Sequence, residues 1–487
     1  MADIDPMSWG VRESGGSGLY RTLRSVIRGA LKVFYRTVEV TGRENLGAAT
    51  RAGGPRPTVL ASTHPNSIID PLLLGILESR QVTFCARDGL FKVPIFGTLL
   101  RKVGAIPIAR PEDKSKDPAA PKDPAATAAA NDKAFAAARA VLGAGGVISI
   151  FPEGKTHDNL KVHRLRTGAA RIALDAEAAA GWTLGVGVVP VALNYLVRQA
   201  FRSDVHVAFG PPIPVADLRQ RFEADPRAAA RELTDRIEYA LKDLAVHVDQ
   251  VEDERIIAQV TSIVVDIRRE AGLDQSGQSP SERTALVRRV VDAYRWIQEV
   301  EPEKTAELRR RLQRFLEERQ ALGMGGETAA LQHRTEAQKR FAAERRFLAL
   351  GFPVALWGLA GSIAPYLVLR LILAVVPLRK DRMALTKILV GAVVFLGAWI
   401  GQTVVVSGLV GPVLGLLYGA TLPPTALIAL RWVTEARLHR LSRGGLRALL
   451  RESDRVEALK REREALKAEL TTLRDRYLAA VGDGPRS

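Results

Sequence analysis

The sequence predicts an α/β fold: a mixed, largely parallel sheet flanked by helices, followed by a helical region and by C-terminal membrane-embedded helices. Three observations predict it. Short apolar runs alternate with helical segments between Thr58 and Leu193. Residues 216–346 are helical in pattern and highly charged. From Phe347 to Leu378 only Arg370 is charged, and from Ile388 to Leu430 nothing is. Strands alternating with helices favour a parallel sheet with helices on its faces. The boundaries drawn from these patterns are a basic amphipathic helix over 1–37, a catalytic-type domain over 38–215, a helical region over 216–346, apolar helices over 347–430 and a helical tail over 431–487.

The elements follow in order. Leu19, Leu23, Val26, Ile27, Ala30, Leu31 and Phe34 recur at helical spacing, with Arg21, Arg24, Arg28, Lys32 and Arg36 projecting elsewhere. Such a helix suits a headgroup layer, or packs on the next domain with its charges solvated. Strands are expected at Thr58–Ser62, Val82–Cys85, Ala105–Ile108, Val147–Phe151 and Val186–Leu193, and helices at Pro71–Leu77, Asn131–Leu142 and Leu165–Ala179. Pro111–Ala130, rich in Ala, Pro, Lys and Asp, reads as a flexible loop. In the tail, Val456, Leu459, Leu466, Leu470, Leu473 and Tyr477 follow a heptad that Arg463 interrupts, as in a helical hairpin, a weak dimer or a solvated tail.

A spanning helix needs about 20 apolar residues. The stretch after Ile388 is long enough for two passes, turning at Ser407-Gly408 or Gly411-Pro412. The stretch from Phe347, interrupted by Pro353, Gly358, Gly361 and Pro365, is expected to be re-entrant or shallow, so that both stretches return to the cytoplasmic side. Two ordinary crossings are the alternative. Basic residues flank every stretch, and such flanks prefer the cytoplasm. Residues 1–18 lack the apolar core of a cleaved signal peptide.

The chain of 487 residues has 25% charged and 47% apolar residues and a net charge of +17. That composition supports a sizeable core and an anionic partner such as acidic lipid or a phosphorylated substrate. The basic residues flank apolar stretches rather than interleave with aromatics, which argues against nucleic acid. The single cysteine excludes an internal disulfide and any cysteine-built zinc site. His157 and His163 lack the accompanying ligands a metal would need.

Two strings carry chemistry: His64-Pro65-Asn66-Ser67-Ile68-Ile69-Asp70-Pro71 and Phe151-Pro152-Glu153-Gly154. A neutral imidazole can take a proton from an alcohol when a carboxylate holds its other nitrogen. Six residues apart on one helix, His64 and Asp70 would point about 240° apart. His64 is therefore placed in a strand-to-helix turn, with Asn66 or Ser67 capping the helix and Pro65 keeping His64 out of helical geometry. Taken alone, the string also reads as a surface turn in which Asp70 caps. Arg110, at the end of an apolar strand, can grip a phosphate bidentately. Glu153 can bond a substrate hydroxyl, and Gly154 permits close backbone approach.

These strings, with Gly104-Ala105-Ile106-Pro107-Ile108-Ala109-Arg110 and Val189-Pro190-Val191, occur in the order seen in the phospholipid/glycerol acyltransferase family, which the region 38–215 resembles. The resemblance implies His64 and Asp70 as catalytic pair, Arg110, Glu153 and Gly154 on the acceptor, and Val189 and Pro190 on the acyl-donor side. Five residues separate His64 from Asp70, where four are usual. That spacing, Lys155-Thr156-His157-Asp158 and Leu193-Asn194-Tyr195 resemble the branch with fungal glycerol-3-phosphate/dihydroxyacetone-phosphate acyltransferases. Lys155, His157 and Arg166 are candidates for the arginine that many relatives carry after the glycine. The implied reaction is acyl transfer from acyl-CoA or acyl carrier protein to a glycerol-phosphate acceptor, without a cofactor, at a membrane and on its cytoplasmic side (the inner membrane in a bacterium). Lysophosphatidate as acceptor, or an inactive membrane-bound scaffold, are the alternatives.

Overall fold

The structure, a computed structural model, describes residues 17–46, 55–93, 96–109, 124–157, 159–195, 203–270, 278–322, 334–375, 380–451 and 453–481. Two compact units divide the chain: Met1–Ala258 with Asp274–Asp292, and Gln259–Leu273 with Ala293–Ser487.

The first unit holds an eight-stranded sheet: β1 Tyr35–Thr41, β2 Thr58–Ser62, β3 Val82–Arg87, β4 Ile106–Ile108, β5 Val147–Ile150, β6 Gly187–Tyr195, β7 Ser203–Phe209 and β8 Ile213–Pro214. Its order is β1-β7-β6-β2-β5-β3-β4, with β8 also on β6. β6, β2, β5, β3 and β4 run parallel, while β7 and β8 pair antiparallel with β6. This is the mixed, largely parallel sheet the sequence predicts. Its central strands are apolar on both faces because helices cover both.

Helices α1 Gly18–Phe34 and α2 Ile69–Leu77 belong to one face of the sheet, where Leu31, Leu73, Leu74 and Leu77 join Leu60, Val189 and Val191 in one core. After α3 Asp88–Phe91 and α4 Phe96–Lys102 come α5 Pro124–Gly143, α6 Gly168–Ala179, α7 Arg219–Ala224 and α8 Pro226–Leu244. Ala138, Leu142, Ile172, Leu233 and Leu241 form the core on the opposite face with Val59, Ile148 and Val188. Truncating such a buried leucine to alanine costs about 2–5 kcal/mol. The unit therefore runs beyond residue 215, because α8 supplies part of that core.

One alternative is selected here and two expectations are corrected. The N-terminal helix takes the packed alternative, with Leu19 and Val26 left exposed: Ile27, Leu31 and Phe34 join the core, Tyr20 Oη donates to Gly75 O at 3.4 Å, and buried Arg24, no solvated charge, donates to the carbonyls of Ile76, Glu78 and Ser79 at the end of α2. It also ends earlier, and Tyr35 and Arg36 open β1, where Arg36 pairs with Asp204 of β7. Residues 124–130 belong to α5, since their alanines are the strongest helix formers; Pro111–Asp123 lies outside the described residues.

The second unit contains α11 Pro302–Ala321, α12 Arg334–Val375, α13 Lys380–Val410, α14 Pro412–Arg451 and α15 Ser453–Val481; between the units' segments run α9 Glu254–Glu270 and α10 Pro280–Val300. Arg345–Ile372, Val393–Val410 and Pro412–Ala436 are each long and apolar enough to cross a membrane. The first stretch is one unbroken helix through Pro353 and Pro365, not a re-entrant segment. The turn in the second falls at Gly411, whose φ of 96° suits glycine. On α15 the heptad residues Val456, Leu459, Leu466, Leu470 and Leu473 are buried, as is Arg463.

Candidate active site

His64 follows the carboxyl end of β2 by two residues. Thr63 extends that strand, its N–H donating to Val191 O at 3.0 Å while its Oγ accepts from Leu193 N at 3.0 Å. The chain then turns through Ser67, a non-glycine residue at φ 42°, and enters α2 with Ile68 as N-cap. No side chain caps α2 as Asn66 or Ser67 was expected to; Asp70, in the first helical turn, reaches back instead and accepts from Asn66 N at 2.8 Å. The left-handed Ser67 accommodates the fifth intervening residue, at about 1–3 kcal/mol of local strain.

This turn brings His64 and Asp70 together: His64 Nδ1 lies 2.9 Å from Asp70 Oδ2. Tyr195, at the end of β6, donates its hydroxyl to Asp70 Oδ1 at 2.6 Å. The Asp70 side chain is fully buried and that of His64 is 16% exposed. Three donors thus compensate a carboxylate removed from water. Tyr35 receives a 3.3 Å hydrogen bond from Asn66 Nδ2, and burial, then the Asp70 charge, raises its hydroxyl above the usual tyrosine range. An imidazole that donates from Nδ1 to a carboxylate carries its lone pair on Nε2.

The second string is adjacent. Phe151 stacks on His64, ring centroids 4.0 Å apart at 19°. Glu153 is buried and tied to its surroundings through both oxygens. Oε1 accepts from His64 N–H at 3.3 Å, and Oε2 from His157 Nε2 and from His163 N–H at 3.3 Å. His157 Nδ1 donates to Asn159 O at 3.2 Å. Burial, followed by the neighbouring His157, lowers the His163 imidazole below the ordinary histidine range. Gly154 has φ 72°, its N–H donates to Phe151 O, and a Cβ there would stand 2.7 Å from Arg166 Nε. Arg166 N–H in turn donates to Pro152 O at 2.8 Å.

Of the sequence-predicted residues, the structure therefore gathers His64, Asp70, Glu153, Gly154, His157 and Arg166 around the carboxyl ends of β2 and β5, where α/β folds place ligands. Lys155 is exposed beside them. Val189 and Pro190 are buried within β6, paired with Leu60 and Ala61 of β2. Arg110 lies outside the described residues. Tyr195, Tyr35 and Asn66 were not singled out for the site from sequence. Among the described residues no cluster suited to a metal is present.

The family described as Acyltransferase matches residues 37–194. Two Saccharomyces cerevisiae proteins are similar over part of the chain. Glycerol-3-phosphate O-acyltransferase 2 is 36% identical over 97 residues, covering 20% of this chain and 13% of that protein. Glycerol-3-phosphate O-acyltransferase 1 is 31% identical over 116 residues, covering 23% and 15%. The chain thus aligns with less than a sixth of either relative's length. A crystal structure of the 1-acyl-sn-glycerophosphate (LPA) acyltransferase PlsC from Thermotoga maritima aligns with 46% of this chain and 80% of its own, at TM-score 0.31 and 19% identity. The histidine–aspartate turn and the Phe-Pro-Glu-Gly turn both lie inside residues 37–194, the part of the chain that matches the acyltransferase family.

Proposed function

We propose that the protein transfers a fatty acyl group from acyl-CoA or acyl carrier protein to a hydroxyl of glycerol 3-phosphate, at a membrane and on its cytoplasmic side. The observation that carries this reading is the His64–Asp70 pair, held at 2.9 Å beside the Phe151–Gly154 turn. His64 Nε2 takes the proton of the acceptor hydroxyl as its oxygen attacks the thioester carbonyl. The tetrahedral intermediate then collapses, the carbon–sulfur bond breaks, and the imidazolium returns the proton to the departing thiolate. Asp70 holds the ring orientation and stabilises the imidazolium formed in between. The hydroxyl attacks directly, so the enzyme itself is never acylated, and no cofactor takes part.

Arg110, Lys155, His157 and Arg166 supply positive charge or donors for the acceptor phosphate, the arginines through two parallel N–H bonds. Gly154 lets the acceptor approach the backbone. Glu153 receives an acceptor hydroxyl when it exchanges one of its present partners, and otherwise braces the His64 turn. Val189 and Pro190 act from within β6 on the acyl-donor side. The apolar helices keep the enzyme where its acyl chains and product reside. The likeness to the two yeast glycerol-3-phosphate O-acyltransferases supports this acceptor.

The test is a competition assay on purified protein with glycerol 3-phosphate, dihydroxyacetone phosphate and lysophosphatidate offered together to one acyl-CoA. Acylation of glycerol 3-phosphate in preference to the other two is expected. Preference for lysophosphatidate would overturn the acceptor assignment, and no transfer to any of the three would overturn the reaction.

A further inference from the structure

Three helices that each crossed a bilayer would leave the two ends of the apolar region on opposite faces. The structure places those ends together. Trp432 Nε1–H, late in α14, donates to Leu348 O, at the start of the apolar part of α12, at 2.8 Å. The guanidinium of Arg431 sits 5.2 Å from the centre of the Phe347 ring, and the rings of Phe352 and Trp432 lie 5.8 Å apart. The third apolar span therefore ends where the first begins.

The contact pattern shows how this happens. α13 runs antiparallel to α12: Gln402 Nε2 donates to Gly361 O at 3.1 Å, and Gly391 lies against Leu369. The first part of α14 runs antiparallel to α13, with Gly415 on Ser407 and Gly419 on Thr403. Its later part runs antiparallel to α12, with Leu422 against Gly361, Thr425 against Gly358 and Trp432 against Gly351. Three straight helices along one axis cannot each oppose the other two. At least one helix therefore bends or crosses the others obliquely where Gln402, Gly419 and Leu422 meet Gly361 and Thr403, and α14 carries a bend-prone interval between Gly419 and Thr425. Pro423 and Pro424 stand in that interval, and neither has an N–H for the helical ladder. The Thr421 and Thr425 hydroxyls donate to the carbonyls of Tyr418 and Thr421, each at 2.7 Å, on either side of the two prolines.

Elements outside the apolar region agree. α11 precedes the first span and α15 follows the third, yet they are joined by ion pairs. Arg311 bonds Glu462 at 3.0 Å and Glu469 at 2.6 Å, and Arg455 bonds Glu318 at 3.0 Å. An odd number of crossings would place a bilayer between these partners. Meanwhile the apolar surface of α12–α14 is open, with Leu350, Val393, Leu409 and Val413 all exposed, and surface of this extent and length fits lipid.

We infer that this surface faces a lipid bilayer and that the chain makes a net two crossings, not three. α12 crosses once. α13 and α14 together make the return, α14 bending at Pro423-Pro424, and α11 and α15 stay on one face. Arg345, Arg346 and Arg431 then lie together at that face, where they meet anionic headgroups.

The test uses the full chain with Cys85→Ser in sealed vesicles, carrying one new cysteine at a time: Gln313→Cys on α11, Arg382→Cys at the start of α13, or Ala479→Cys on α15. A membrane-impermeant maleimide is added outside, and total reactivity is measured after detergent. The expected result is that positions 313 and 479 react from the same side and position 382 only from the other. Labelling of 479 with 382 would overturn the inference in favour of three crossings. Labelling of all three from one side would overturn it in favour of no crossing.

Discussion

The Tyr195 hydroxyl donates a 2.6 Å hydrogen bond to Asp70 Oδ1, on the far side of the carboxylate from His64. The two residues come from α2 and from the end of β6, which lies beside β2 in the sheet. Tyr195 is thus a positioning residue for the histidine–aspartate pair. In Tyr195→Phe the buried carboxylate loses one of three donors and concentrates its charge toward His64. We expect kcat to fall about tenfold, the equivalent of one charge-assisted hydrogen bond. KM should change little, and the acid limb of the pH–rate profile should move to higher pH because the imidazolium is better stabilised. A tyrosine that only filled space would lower activity without moving that limb.

Asp70→Asn keeps the shape of the side chain and removes its charge. It can also offer His64 Nδ1 a donor in place of an acceptor, which favours the wrong tautomer. The rate should fall by about 10²–10⁴, the range over which general acid–base catalysis operates. Steady-state kinetics on the variant, with circular dichroism to verify folding, checks this.

Gly154→Ala places a methyl group against Arg166 at a left-handed backbone position. The expected loss of stability is about 1–2 kcal/mol. Because the same turn carries Glu153, which bonds the His64 N–H, activity should fall as well. Thermal unfolding and the acyl-transfer rate, measured on the same preparation, check both expectations.

His206, on β7 opposite Glu39 of β1, is pushed down to about 4 by burial. The unfolded chain, whose histidines titrate near about 6.5, takes up the proton more readily than the folded one. Stability from this residue is therefore fully present above about pH 6.5 and is lost as pH falls toward 4, to a total on the order of 3 kcal/mol. Denaturation midpoints between pH 7 and pH 4 should show a slope that His206→Gln flattens.

The parts of this fold legible in the sequence are those whose signal is local. β2, β5 and β6 are continuous apolar runs ended by turns, and the helical angle between His64 and Asp70, together with Pro65, requires a turn at His64 before α2. β1 and β7 carry no local signal because their charged and polar residues are matched by partners remote in sequence: Glu39 accepts from Ser281, and Asp204 meets Arg283 as well as the opposite strand. Arg36 pairs with Asp204, a relationship that helical periodicity near the N-terminus conceals. Arg24 looked like a solvated charge and instead closes the carbonyl end of α2. Tyr195 is legible only as part of the Leu193-Asn194-Tyr195 string, not as a neighbour of Asp70, because its partner is remote in sequence and only the pairing of β6 with β2 brings the two together. The three apolar helices were legible by length, but the return of α14 toward the start of α12 depends on packing between helices.

The proposed reaction stands or falls on His64 as the base for O-acyl transfer. The most direct measurement is the rate of lysophosphatidate formation from acyl-CoA and glycerol 3-phosphate by the purified full chain and by its His64→Ala variant, under identical detergent and lipid. Product is expected from the native chain, and at least about a hundredfold less from the variant. Equal rates from the two proteins would contradict it.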